Sequence, residues 1–217
     1  MSEGGFLKTV KENYDNIEVK IKNLTLLKTY DYIVYLSRNY PHKFSNRLIR
    51  QTCRRFGLKN KKILDVGSYT GYYSFYFHCE RNRVVGVELS NKADYAKKRY
   101  GNYSIEFIQG DINQVLSEMD DEKFDFIFCS NLPLHYDTGS VLTSAFFDDF
   151  IDKALKRLND NGIFYYIFYS SKHDKVAIPV EAGDLTKYCI NKGLKNYSVE
   201  TTRLLKNDTV ELVVKQL

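Results

Sequence analysis

The 217-residue chain has no tryptophan, three prolines and two methionines. Its four cysteines, Cys53, Cys79, Cys129 and Cys189, are scattered without a CxxC pair. That spacing speaks against a disulfide framework or a zinc site, and four reduced, mostly buried thiols are expected. His42, His78 and His173 share no metal-ligand spacing, so no metal is expected. No apolar run approaches the roughly 20 residues that span a bilayer. Residues 1–9 lack a basic start followed by an apolar stretch, so no secretory leader is expected and the expected compartment is the cytoplasm. Repeats and low-complexity segments are absent as well.

What is present is an ordinary globular composition, 43% hydrophobic and 27% charged, in a chain long enough to bury a full core without staples. The formal charge of +5 is uneven. Residues 1–62 hold 14 Lys/Arg against 5 Asp/Glu, whereas the remainder holds 18 against 22. A basic N-terminal third suits either an anionic partner or merely solvated helices.

Residues 1–60 read as a helical, amphipathic cap. Leu24, Leu27, Tyr30, Ile33, Val34 and Leu36 fall near helical spacing. Pro41 is expected to break the chain, and Ser45 to cap a helix ending before Gly57. On that helix Leu48, Ile49, Cys53 and Phe56 form an apolar stripe. Arg47, Arg50 and Arg54 form a basic face that would suit the phosphates of a nucleic acid.

From residue 61 the rhythm alternates. Strands are expected at 63–66, 83–88, 105–109, 124–129 and 163–169, and helices at 72–78, 92–100, 112–119, 145–158 and 182–192. Asn161-Gly162 is expected to end the fourth of these helices. The fifth strand has almost no polar position, as burial on both faces requires. Strands at 198–205 and 209–215, joined by Lys206-Asn207-Asp208, read as a hairpin. The alternation predicts an α/β fold: a doubly wound, mostly parallel seven-stranded sheet with an antiparallel terminal strand and a helical N-terminal cap. The expected division is a cap over 1–60 and a sheet domain over 61–217.

The informative turn is Ile63-Leu64-Asp65-Val66-Gly67-Ser68-Tyr69-Thr70-Gly71, a strand, a two-glycine loop and the start of a helix. Such a turn sits where small ligands bind. A dinucleotide loop GxGxxG begun at Gly67 needs glycine at 69 and 72, where the chain has Tyr69 and Tyr72. A P-loop GxxxxGK[ST] also fails. What remains is D-x-G-x-x-x-G. A carboxylate there repels phosphate and suits a cation, such as the sulfonium and ammonium of S-adenosylmethionine.

In these residues the chain resembles class I S-adenosylmethionine-dependent methyltransferases, over roughly residues 60–217. Asp65, Gly67, Ser68, Tyr69 and Gly71 match the family's first motif, with Tyr69 where the family usually has glycine. Glu88, 23 residues after Asp65, is similar to the acid that holds both ribose hydroxyls, with Leu89 beside it. Gly110-Asp111-Ile112 resembles the motif whose Asp and neighbour bracket the adenine. Phe124 to Asn131 resembles the fourth strand, whose end, Ser130 and Asn131, leads into the reaction centre. Leu158-Asn159-Asp160-Asn161-Gly162 resembles the turn before the fifth strand. The resemblance implies S-adenosylmethionine as cofactor. It implies methyl transfer by in-line displacement, in which alignment supplies much of the acceleration and a base is needed only for a protonated acceptor.

Two readings of Ser130-Asn131-Leu132-Pro133-Leu134-His135-Tyr136 stand open. Leu134-His135 resembles a stretch of small-molecule methyltransferases, which would make His135 a base or orienting group. Asn131-Leu132-Pro133-Leu134 is instead similar to a worn [DNS]PP[YFW] motif of amino-methyltransferases acting on DNA, RNA or glutamine. Pro41-His42-Lys43-Phe44-Ser45 is faintly similar to an N-terminal element of the DNA enzymes. Tyr40, His42 and Tyr136 are candidates to line an acceptor pocket. Metal-dependent O-methyl transfer would want acids at the ends of the fourth and fifth strands, where the chain has Asn131 and Ser170-Ser171. The expectation is methylation of O, N or C of a small molecule. The alternatives are a nucleic-acid amino-methyltransferase and a non-catalytic binding protein. The oligomeric state is not legible.

Overall fold

The computed structural model describes residues 41–119, 121–130, 145–169, 181–204 and 207–216. The part of the expected cap before residue 41, with its helical pattern from Leu24 to Leu36, lies outside them. In chain order the elements are α1 (Pro41–Phe56), β1 (Lys62–Val66), α2 (Tyr72–Cys79), β2 (Arg83–Glu88), α3 (Lys92–Tyr100), β3 (Ile105–Gln109) and α4 (Ile112–Glu118). Then follow β4 (Phe124–Ser130), α5 (Ala145–Lys156), β5 (Leu158–Tyr169), α6 (Ala182–Asn191), β6 (Tyr197–Leu204) and β7 (Asn207–Lys215). Among the described residues no helix is long and apolar enough to cross a membrane.

The strands form one seven-stranded sheet in the order β3-β2-β1-β4-β5-β7-β6. The first five are mutually parallel, and β7 runs antiparallel between β5 and β6. The strand order reverses between β1 and β4. Their carboxyl ends diverge there into separate connections, which opens the crevice where doubly wound sheets bind ligands.

Alternation sorts the apolar strands between two faces. Leu64, Val66, Val85, Val87, Ile127 and Cys129 pack with α4, α5 and α6. Ile63, Val84, Phe126 and Phe128 pack on the other face with Leu48, Ile49 and Cys53 of α1 and Phe77 of α2. With no tryptophan, phenylalanine and tyrosine fill this second layer. Phe56 lies 5.4 Å from Phe126 and 5.1 Å from Tyr165, and Phe77 lies 5.3 Å from Phe128. Residues 41–56 are therefore built into the core layer of the sheet. The expected apolar stripe is the buried face of α1, and Arg47, Arg50 and Arg54 are exposed opposite it.

Three boundaries differ from expectation. Pro41 stands in the first turn of α1, where a residue has no intrahelical acceptor for an N–H and loses nothing by lacking one, and the break expected before it lies outside the described residues. Ser45 consequently lies within α1 and is not its cap. Helix α5 stops at Lys156, and Leu158 belongs to β5 instead of the helical stripe. The turn-like Asn159-Asp160-Asn161-Gly162 is an irregularity inside that strand. Phe124 pairs with Leu158 while Phe126 pairs with Ile163, and Asn161 takes a φ of 61°. The extra residues are pinned by Asn159 Nδ2, which donates to Asp125 Oδ1 at 3.1 Å. A Cβ on Gly162 would fall 2.8 Å from the Asn159 carbonyl oxygen. Finally, Asn207 and Asp208 are already paired in β7, opposite Leu204 and Arg203, so the hairpin turn is tighter than expected.

One glycine governs how closely α2 lies on the sheet. A Cβ on Gly86 of β2 would stand 2.8 Å from Phe107 Cδ1 and 2.9 Å from Ser74 Oγ. Gly86→Ala should destabilise the fold by about 1–3 kcal/mol through overpacking. Gly183→Ala, in open space on α6, should be neutral or stabilising by up to about 1 kcal/mol. Urea denaturation of the two variants checks the contrast.

Candidate ligand site at the carboxyl edge of the sheet

The loop from β1 to α2 turns left-handed at three residues, with φ of 72° at Gly67, 49° at Tyr69 and 79° at Gly71. Its amides face inward. Gly67 and Ser68 N–H both donate to the Val87 carbonyl, at 2.8 and 3.0 Å, and Gly71 N–H donates to the Ser68 carbonyl at 2.8 Å. Tyr69 N–H donates to Glu88 Oε2 at 2.9 Å. Four amides that a phosphate loop would aim at its anion are thus committed within the protein, as the carboxylate-led reading of the turn requires. The remaining need for glycine at 71 is packing: a Cβ there would meet Phe107 Cζ at 2.7 Å.

Carboxylates stand at or near the ends of three adjacent strands. Asp65 of β1 is 1% exposed, and Ser74 Oγ donates to its Oδ2 at 2.5 Å. Burial without a neighbouring cation pushes its carboxyl up to about 7, against the pull of the Ser74 hydrogen bonds. Asp65 therefore lies beneath the loop, tying β1 to α2. Glu88, at the end of β2, is partly exposed. Its Oε1 accepts from Ser90 N–H and Oγ at 2.9 and 2.7 Å, so loop donors fix its rotamer. Asp111 caps α4, its Oδ1 accepting from Asn113 and Gln114 N–H. Its Oδ2 has no partner among the described residues.

Apolar groups flank these acids. Leu89 is 67% exposed directly after Glu88, and Ile112 is buried beside Asp111. Ser68 Oγ is buried and has no partner among the described residues. Tyr69 is 36% exposed, with Lys92 Nζ 5.9 Å from the centroid of its ring. Ser130 ends β4 half-buried at the same edge. The structure thus brings Asp65, Gly67, Ser68, Tyr69, Gly71, Glu88, Leu89, Asp111, Ile112 and Ser130 to one edge of the sheet. Asn131, His135, Tyr136 and Tyr40 lie outside the described residues, as does the side chain of His42, which belongs to the first turn of α1.

Ser74, Gly86 and Phe107 are part of the site's foundation that sequence reasoning missed. The available signal was a glycine inside a strand, which marks a close approach of another element. Arg55 was missed as well. It donates to Glu211 at 2.5 Å and to Glu200 at 2.8 Å, tying α1 to β7 and β6.

Residues 63–162 match a family model described as a methyltransferase domain. No curated protein matches the chain by sequence. Among solved structures the chain is similar to TehB from Haemophilus influenzae, with a TM-score of 0.60 and 16% identity, covering 84% of this chain and 66% of that one. An S-adenosylmethionine-dependent methyltransferase from Clostridium acetobutylicum gives a TM-score of 0.61 at 13% identity, covering 87% and 98%. A third is the Burkholderia thailandensis 1,6-didemethyltoxoflavin-N1-methyltransferase, solved with 1,6-didemethyltoxoflavin and S-adenosylhomocysteine. It gives a TM-score of 0.59 at 14% identity, covering 88% and 91%. The chain thus spans just under two thirds of the TehB chain.

The buried acid has a consequence for stability. Asp65 keeps a proton in the folded state that it has lost in the unfolded state between about pH 4 and about 7. Its contribution to stability is therefore full below about pH 4 and falls as pH rises to 7. Asp65→Asn should remove this fall. Relative to the variant, the wild type should lose stability across that window, by at most about 4 kcal/mol. Denaturant titrations of both proteins at pH 4 to 8 check it, and parallel curves would contradict it.

Proposed function

We propose that this chain, which carries a methyltransferase domain of the class I fold over residues 63–162, transfers the methyl group of S-adenosylmethionine to a small-molecule acceptor. The observation that carries the reading is the pairing of an inward-facing glycine turn with carboxylates at the ends of adjacent strands. With its amides already spent on Val87 and Glu88, the turn offers little to a phosphate, while the acids favour a cationic, hydroxyl-bearing nucleoside.

In this reading Glu88 accepts from the ribose hydroxyls, with one lone pair of Oε2 open beyond its bond to Tyr69 N–H. Asp111 Oδ2 and the flanking Leu89 and Ile112 receive the adenine. Ser68 Oγ meets a polar atom of the ligand. Asp65 acts from beneath, holding Ser74 and the start of α2 in place. When bound, S-adenosylmethionine supplies an electrophilic methyl carbon on a sulfonium. The protein's task is then to align an acceptor with it and to exclude water. Ser130 at the end of β4 borders that region, and Asn131, next in the chain, is a candidate to join it. We assign His135, five residues past the strand end, to orienting or deprotonating the acceptor, with Tyr40, His42 and Tyr136 as candidate walls.

The α1 arginines bear on the choice between a small molecule and a nucleic acid only in part. Arg50 lies 3.8 Å from Glu80 in an ion pair, and Arg55 is engaged by Glu200 and Glu211. Arg47 and Arg54 of the expected basic face are exposed, so the salt dependence of nucleic-acid binding decides between the two acceptors. The similar Burkholderia structure, solved with a small heterocycle bound, is the one whose ligand suggests a small-molecule acceptor.

Isothermal calorimetry should show S-adenosylmethionine binding to the wild type. Glu88→Ala should weaken it at least about tenfold by removing charged hydrogen bonds. Unchanged affinity would remove Glu88 from the site, and no heat with the wild type would favour a non-catalytic scaffold. Retention of the protein on RNA or DNA should be negligible at about 150 mM salt; tight binding that falls steeply with salt would favour the nucleic-acid alternative. His135→Ala should spare cofactor affinity and flatten the pH dependence of turnover near neutrality. A wild-type pH profile would dismiss it as a base.

A further inference from the structure

Tyr69 occupies a conformation that suits glycine. Its φ of 49° lies in the left-handed region, which a bulky side chain enters at an energetic penalty unless its surroundings hold it there. In that conformation its N–H reaches Glu88 Oε2 at 2.9 Å. Glycine would make the same bond without the penalty, so the bond does not account for the ring. The side chain does not close the turn, because a residue whose ring filled it would be buried, and Tyr69 is 36% exposed. It faces Lys92 instead, whose Nζ lies 5.9 Å from the ring centroid. Lys92 opens α3, four residues after Glu88.

The topology says which part of a ligand the ring meets. Glu88 and Lys92 follow β2, which lies on the opposite side of β1 from β4 and β5. The ring therefore stands on the side of Glu88, Leu89 and Asp111 and away from Ser130, where the acceptor would enter. We propose that Tyr69 is a specificity-determining residue of the nucleoside half of the site, its ring forming an outer wall over the adenosyl group, braced by Lys92. This rests on the reading of the site as one for S-adenosylmethionine. It goes further in giving the ring a contact with the ribose or base and none with the methionyl end. A residue with no backbone reason to be there thus sets how long the nucleoside stays.

The test measures affinity and dissociation rate for two probes, S-adenosylhomocysteine and adenosine. The wild type is compared with Tyr69→Gly, Tyr69→Asn and Tyr69→Phe. Glycine and asparagine both tolerate φ near 49°, so two ring-free variants guard against one that fails to fold. Loss of a ring–base contact should weaken both probes about tenfold in both ring-free variants, mainly through faster dissociation. Tyr69→Phe, which keeps the ring, should stay within about twofold of the wild type. Ring-free variants that bind both probes like the wild type would overturn the inference. So would weakening of S-adenosylhomocysteine alone, which would put the ring on the methionyl end, or a Tyr69→Phe variant as weak as Tyr69→Gly. Each of these leaves the cofactor reading standing. A wild type that binds neither probe overturns that reading and the inference with it.

Discussion

The carbonyl of Val87 accepts two amides, from Gly67 and Ser68, and the site depends on that junction. It fixes the β1–α2 loop against the end of β2, one residue short of Glu88. It also turns the loop's donors away from the space above the sheet. A glycine-rich turn is by default an anion receptor, because unsatisfied amides and the helix start both attract negative charge. Spending the amides on a neighbouring strand removes that attraction and leaves the acids to set the field. The same junction places Tyr69 N–H on Glu88, so the first motif and the acid of the next strand form one unit.

Beneath this unit the sheet is held close to α2 by a narrow steric fit. Gly86 pairs with Asp65 on one side and Phe107 on the other. Its bare Cα lets Ser74 reach the buried carboxylate. A buried acid without a cation partner is a destabilising choice at neutral pH, and such groups are retained where geometry is needed more than stability. Farther along the sheet, Arg55 links α1 to Glu200 and Glu211 on the terminal hairpin. The end of α1 that leads into β1 is thereby tied to the last two strands.

Much of the sheet was legible because its strands are short apolar runs separated by turn residues. The parallel sheet and its antiparallel terminal strand followed from the alternation of strands and helices, whereas the order of the strands emerges only in the fold. The glycine turn stood out because charge and spacing at a strand end are local features, whereas Glu88 was singled out by spacing together with the family resemblance and Asp111 by the resemblance alone. The errors arose where two signals compete over few residues. Asn159 to Gly162 carries every mark of a loop, yet side-chain bonds to Asp125 hold it within β5. Ser45 carries the mark of a cap, yet α1 already runs through it from Pro41. Ser74, Gly86 and Arg55 escaped notice because their roles exist only after strands distant in sequence have paired. The orientation of the loop amides was likewise beyond the sequence, since a turn of the same composition can face either way.

The central claim is that this turn selects a cationic nucleoside over a phosphate-bearing one. Equilibrium dialysis of the wild type against S-adenosylmethionine and, separately, adenosine diphosphate tests it most directly, since the two share an adenosine and differ in what it carries. The account predicts saturable binding of S-adenosylmethionine and no saturable binding of adenosine diphosphate at matched concentrations. Equal or tighter binding of the diphosphate would contradict it.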